Sequence, residues 1–281
     1  MRGAAPGSRA MPVLGFGTCC RAGAKGRPLV SSAVAYLERG GRLLDTAFMY
    51  GNHRDVATAV RESGLAPGEV WITDKIQPSQ MGYEKTQRAV DLSLKELQVL
   101  AVDLMLIHVP DGGREARVGS WAALVEAQRA GKVRHIGVSN FDRVQIQELV
   151  NATGVWPANN QIEFSPFSPP PVRELVAWMR GQGITVTAYG SLGHAGANLS
   201  QAAARAGAEA LQRRYGKTAA QVFLRWGVDR GVAVVPGATS EEHIAENLDI
   251  LDFSLTEQEL SSLESNSKPE KWRWFHGTPG K

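Results

Sequence analysis

Apolar residues along this chain follow two rhythms. Short, nearly continuous runs alternate with longer stretches in which apolar positions recur every three or four residues. The runs predict strands at 13–18, 43–46, 70–76, 102–107, 133–138, 158–162, 184–189 and 232–235. The longer stretches predict helices at 28–39, 54–62, 83–97, 121–129, 143–150, 172–180, 201–214, 218–230, 241–247 and 256–263. Gly40-Gly41, Gly64 and Gly131 stand where helices should stop, and Thr256 with Glu259 is spaced as a capping box. The run Val102-Asp103-Leu104-Met105-Leu106-Ile107 is apolar almost throughout, as in a strand covered on both faces.

Strands alternating with helices, with no break in composition, imply a parallel sheet. Eight such units in about 250 residues fit a closed (β/α)8 TIM barrel. The expected organisation is one domain over residues 1–281, with a short aromatic tail from about 265. A doubly wound open sheet is the rival. It would carry a dinucleotide fingerprint after its first strand, and Gly15-Phe16-Gly17-Thr18-Cys19-Cys20 lacks the third glycine of that pattern.

Composition narrows the class further. The 281 residues are 43% hydrophobic and 21% charged, enough for a large core. A net charge of +3 without a Lys/Arg run gives no reason to expect nucleic acid. No apolar run approaches the roughly 18 residues of a membrane span, and Met1 to Ala10 lacks the apolar centre of a signal peptide. Cys19 and Cys20 are adjacent, a spacing that strains a bridge, and read as reduced thiols of a cytoplasmic protein. No C-x-x-C or His pair stands at metal spacing, so no metal is expected.

In such a barrel the chemistry belongs to the C-terminal ends of the strands. Those ends carry Asp45 and Tyr50, Lys75, His108, Ser139 and Asn140, Gln161, and Tyr189, in that order. Each has an ordinary reading: Asp45 as a turn cap, Tyr50 as a half-buried aromatic, Lys75 as a solvated strand end, His108 as a loop histidine. Ser139 and Asn140 would serve as a helix N-cap pair, and Gln161 as a partner for a loop carbonyl. These readings are independent of one another, whereas a single site accounts for all the positions together. A tyrosine hydroxyl with a pKa of about 10 exchanges protons poorly near neutrality, and a neighbouring ammonium favours its phenolate. Lys75 supplies that charge, Asp45 pairs with Lys75, and His108 donates a hydrogen bond to a carbonyl beside the tyrosine. The set suits carbonyl reduction rather than hydrolysis, since no activated Ser or Cys nucleophile is evident.

At this point the sequence resembles the aldo-keto reductase family. The matching stretches are Gly15-Phe16-Gly17-Thr18, Asp45-Thr46-Ala47 with Tyr50-Gly51-Asn52, Lys75, and His108 with Pro110. Gly137-Val138-Ser139-Asn140-Phe141, Asn160-Gln161-Ile162-Glu163 and Glu246-Asn247 extend the match to about residue 250. The resemblance implies a (β/α)8 barrel that transfers hydride from a nicotinamide cofactor to a small-molecule aldehyde or ketone. It implies Tyr50 as proton donor, with Asp45, Lys75 and His108 completing a tetrad. Ser139, Asn140 and Gln161 would bind the carboxamide, and Tyr189 would stack on the nicotinamide. Gly190-Ser191-Leu192-Gly193 resembles the pyrophosphate-binding loop, and Glu246 and Asn247 would lie near the adenine. Phe48, Met49 and Val109 are the expected substrate contacts, and a monomer is the expected state.

The chain departs from the family pattern in several places. After Pro236 the family usually places a Lys and a Ser that meet the 2′-phosphate, where this chain has Gly237 and Ala238, and His243 stands in place of an Arg. A guanidinium fork binds phosphate better than a neutral imidazole does, although Thr239 and Ser240 offer hydroxyls. NADPH is therefore the first expectation and NADH the second. Val109 replaces a frequent Trp, which implies a differently shaped pocket, and His53 replaces the Glu that usually follows the Gly-Asn turn. Asp111 to Gly119 reads as a short polar loop. Lys271-Trp272-Arg273-Trp274-Phe275-His276 reads equally as a segment closing over the pocket or as a strip packed on the barrel exterior. The residues up to Met11 look too rich in Gly and Pro for a complete hairpin beneath the barrel. Two other classes remain in view. A non-catalytic nicotinamide-binding regulatory or interaction subunit is disfavoured by an intact tetrad. An aldolase or isomerase using Lys75 as a Schiff base needs that lysine free of an acid partner.

Overall fold

In the computed structural model, which describes residues 10–20, 22–193 and 207–266, the strands form one eight-stranded parallel sheet in chain order. They are β1 (Phe16–Gly17), β2 (Leu43–Asp45), β3 (Trp71–Ile76), β4 (Val102–Ile107), β5 (Val133–Ser139), β6 (Asn159–Glu163), β7 (Thr185–Tyr189) and β8 (Ala233–Val234). Leu14 bridges in parallel to Val234, and the Gly15 amide donates to the Val234 carbonyl at 2.8 Å, so the last strand meets the first and the sheet closes. Gly17 makes that closure possible: a Cβ there would lie 2.6 Å from the Val235 carbonyl oxygen.

The described helices are α1 (Gly26–Glu38), α2 (His53–Glu62), α3 (Tyr83–Leu97), α4 (Gly113–Arg129), α5 (Arg143–Thr153), α6 (Pro170–Gly181), α7 (Glu209–Tyr215), α8 (Ala219–Asp229), α9 (Glu241–Leu248) and α10 (Glu257–Asn266). No described helix is long and apolar enough to cross a membrane.

The alternation of strand side chains separates two layers. Leu43, Trp71, Leu104, Leu106 and Val235 fill the barrel interior. Ile72, Ile76, Met105 and Ile107 lie on the opposite face, packed with Val56, Val90, Trp121 and Leu124 from the helices. Burying each large apolar side chain contributes about 1.5–3 kcal/mol. In β3 this alternation sends Trp71, Thr73 and Lys75 inward, and Ile72, Asp74 and Ile76 toward the helices.

One element differs from the sequence expectation. Helix α4 starts at Gly113 and takes in most of the segment expected to be a polar loop. Gly112, with a φ of 76°, turns the chain into it. Arg117 ties the new turn down, donating to the Pro110 carbonyl and forming a fork with Glu148. Gly119 sits against the backbone of Gly82 and Tyr83, where a side chain would crowd. A glycine kept for close packing had broken the helical pattern in the sequence. The N-terminal residues through Arg9, the C-terminal aromatic tail and the first part of the helix expected at 201–214 lie outside the described residues.

Candidate active site

Asp45 ends β2 on the inward face. The chain then runs through Thr46-Ala47 into a single 3-10 turn, Phe48–Tyr50, closed by Gly51 at a φ of 61°. Asn52 locks this turn. Its side chain accepts from the Thr46 hydroxyl at 2.8 Å and donates to the carbonyls of Thr18 and Ala24. The turn thereby returns Tyr50 over the end of the barrel.

Asp45 pairs in register with Thr73, so Lys75 projects one inward step beyond it. The Lys75 ammonium donates to Asp45 Oδ1 at 2.6 Å, to the Thr46 carbonyl at 2.8 Å and to the Tyr50 hydroxyl at 3.3 Å. Lys75 is 1% exposed and Asp45 4%. Burial works against the ammonium, but the charges of Asp45 and Tyr50 outweigh it and Lys75 is held above its ordinary pKa. For Tyr50, burial pushes the hydroxyl up more than the Lys75 charge pulls it down, so its pKa lies above the ordinary value. The lowering expected from an adjacent ammonium is present, but burial outweighs it.

His108 follows β4, its amide held by the Ile76 carbonyl at 3.0 Å. Its ring meets the edge of Tyr50, with centroids 5.8 Å apart and planes at 79°. Asn140, in the left-handed region at a φ of 64°, donates to the His108 carbonyl and so ties the end of β4 to the end of β5. Ser139 donates to the Gln161 carbonyl at 2.8 Å, Gln161 donates to Asp45 Oδ2 at 2.6 Å, and Tyr189 donates to Asn140 Oδ1 at 2.7 Å. Helix α5 is capped by Asp142, whose side chain accepts from the Gln145 amide. Ser139 and Asn140 are thus not its N-cap pair.

These groups open onto a cavity of about 430 Å³. Asp45, Met49, Tyr50, His108, Val109, Ser139, Asn140, Gln161, Tyr189, Gly190 and Gly237 all line it. Phe48 is not among the lining residues; its ring turns to the edge of His53, with centroids 5.8 Å apart. Ser191 is buried and donates to the Ala188 carbonyl, Leu192 packs on the outer core, and Gly193 closes a turn onto the Gly190 carbonyl. Beyond β8, Ala238 is buried and the Thr239 carbonyl accepts from Ser32. Ser240 caps α9 through the His243 amide, and His243 itself is exposed. Glu246 and Asn247 are half-buried on the same helix.

Gly17, Cys19, Cys20, Pro78 and Val235 also line the cavity and were not among the sequence candidates. The strand-end rule would have found Gly17 and Val235 had it been applied to the first and last strands. Cys19 and Cys20 stand side by side at the cavity wall. Cys20 has a φ of 68°, in the left-handed region.

The description "Aldo/keto reductase family" belongs to the family model that matches residues 29–268. An aldo-keto reductase of Mycolicibacterium vanbaalenii is 37% identical over 263 residues, which make up 94% of this chain and 91% of that protein. The glyoxal reductase of Bacillus subtilis is 35% identical over 246 residues, 88% of this chain and 86% of that protein. The crystal structure of a Bombyx mori aldo-keto reductase in complex with NADP superposes with a TM-score of 0.82 at 28% identity, covering 93% of this chain and 91% of that one.

Proposed function

Because the chain belongs to the aldo/keto reductase family, whose members are NAD(P)H-dependent oxidoreductases acting on carbonyl compounds, we propose that it reduces aldehydes and reactive ketones with Tyr50 as the proton donor. The observation that carries this reading is the Lys75 ammonium, which touches both the Asp45 carboxylate and the Tyr50 hydroxyl inside the barrel mouth.

The cavity wall fits a nicotinamide cofactor. Ser139, Asn140 and Gln161 offer hydrogen-bonding groups for a carboxamide, Tyr189 offers a flat ring, and Gly190 and Gly237 leave the wall without side chains between them. When bound, the nicotinamide supplies the hydride that reduces the carbonyl carbon. Tyr50 Oη gives its proton to the carbonyl oxygen as negative charge develops there. Lys75 stabilises the phenolate left behind, and Asp45 keeps Lys75 charged and in place. His108, at the edge of the Tyr50 ring, orients the carbonyl oxygen toward the hydroxyl. A Schiff-base role for Lys75 is disfavoured by its ion pair, which keeps the amine protonated. The intact tetrad likewise speaks against a purely regulatory subunit.

NADPH is the proposed cofactor, with NADH second. The first turn of α9 carries Glu241 and Glu242 with His243, and no arginine. We assign the protein to the cytoplasm as a monomer with one domain.

The test is a spectrophotometric assay of nicotinamide oxidation with a panel of aldehydes, for wild type and Tyr50→Phe. Turnover surviving in the variant would overturn the donor assignment. A wild type inactive on every carbonyl would favour the regulatory reading.

A further inference from the structure

A second cluster of charges lies directly behind the tetrad, on the other face of β3. Asp74 precedes Lys75, and the alternation that sends Lys75 inward sends Asp74 toward α2 and α3. There His53, the first residue of α2, places Nε2 at 2.9 Å from Asp74 Oδ1 and Nδ1 at 3.3 Å from Glu96 Oε2 on α3. The side chains of His53 and Asp74 are 2% and 0% exposed. The His53 ring also meets Phe48, in the turn that carries Tyr50. One ring therefore touches the strand of Lys75, the turn of Tyr50 and the neighbouring helix.

Nε2 is hydrogen-bonded to Asp74, whereas Nδ1 approaches Glu96 only as an ion-pair contact; two carboxylates flanking the ring favour its protonated form. His53 and Asp74 form a buried, hydrogen-bonded pair. The ionisable groups acting on His53 are Asp74 from β3 and Glu96 from α3; on its own helix, Asp55 is taken up by the Gly26 amide. Burial works against the imidazolium, but the Asp74 hydrogen bond and charge prevail and hold His53 above its ordinary pKa. Asp74 is also felt at the tetrad: after burial and the Lys75 and Asp45 interactions, its charge adds to the upward push on Tyr50.

We propose that His53 is a positioning residue for the proton donor: as an imidazolium between Asp74 and Glu96 it pins the Tyr50 turn to β3 and screens the Asp74 charge from the tetrad. This role rests on the reading of Tyr50 as the donor. His53 does not line the cavity and acts through Asp74 and Phe48.

The test has two readouts. Nitrogen-15 NMR of histidine-labelled wild-type protein reports the state of the His53 ring directly, and an imidazolium at pH 7 is expected. The pH profile of kcat is then measured for His53→Gln, Asp74→Asn and the double variant. In His53→Gln the unscreened carboxylate moves the alkaline limb up by about one pH unit and lowers kcat at pH 7 about threefold, with KM little changed. Adding Asp74→Asn restores both. A neutral ring at pH 7, a His53→Gln profile superimposable on wild type, or failure of Asp74→Asn to restore it would overturn the proposal. Should His53→Gln not fold, Asp74→Asn alone decides: loss of the imidazolium signal at pH 7 supports the pairing, and its persistence overturns it. Activity remaining in Tyr50→Phe would sink the donor assignment while leaving the NMR result for His53 intact, so the two failures are distinguishable.

Discussion

Lys75 Nζ and Asp45 Oδ1 lie 2.6 Å apart on adjacent strands, with both side chains buried at the barrel mouth. With so little of either group exposed, each charge depends mainly on the other. Lys75→Met should leave the carboxylate with Gln161 as its remaining side-chain donor. The expected loss is about 3–5 kcal/mol of stability, the usual cost of breaking a buried pair. The double variant Asp45→Asn/Lys75→Met should recover most of that stability in urea unfolding while remaining inactive.

Tyr50→Phe removes a hydroxyl whose contact with Lys75 is 3.3 Å long. The fold should tolerate it, with an unfolding midpoint near that of wild type. Reductase activity should fall about 100- to 10,000-fold in kcat, the range of a lost general acid.

The His53–Asp74 pair makes stability depend on pH in a definite direction. His53 is raised from 6.5, so its contribution is complete below that value and is lost as pH rises through the higher native one. Asp74 is lowered from 3.8, so its contribution is complete above that value and is lost as pH falls through the lower native one. Urea midpoints should therefore plateau between 3.8 and 6.5 and decline on either side. The double variant His53→Gln/Asp74→Asn should decline less steeply.

His243 stands exposed in the first turn of α9, just beyond Gly237 at the cavity wall. His243→Arg should raise the ratio of NADPH to NADH efficiency about five- to tenfold through a charge-assisted contact with the 2′-phosphate. An unchanged ratio would count against placing the adenosine end at this helix.

Gly17→Ala tests the closure of the barrel. The added Cβ would lie 2.6 Å from the Val235 carbonyl oxygen, a backbone atom that cannot swing aside. A loss of about 1–3 kcal/mol is expected, as for overpacking elsewhere, together with reduced cofactor binding, because Gly17 and Val235 both line the cavity.

By itself, the sequence determined the order of elements and the barrel they build. Buried parallel strands must be apolar on both faces, and helices must show one apolar stripe, so both patterns are written locally. The same local logic marked Asp45, Tyr50, Lys75 and His108, since a polar residue at the end of a buried strand needs a reason to be there. Tertiary structure decided what depends on neighbours distant in the chain. It extended α4 through Gly119, because that glycine answers to the backbone of Gly82 and Tyr83 rather than to its own helix. It turned Phe48 away from the pocket to His53. It also set Asp74 against His53 and Glu96, which come from two separate helices. Periodicity states which face a residue occupies; which charge waits on that face is decided only when the helices pack.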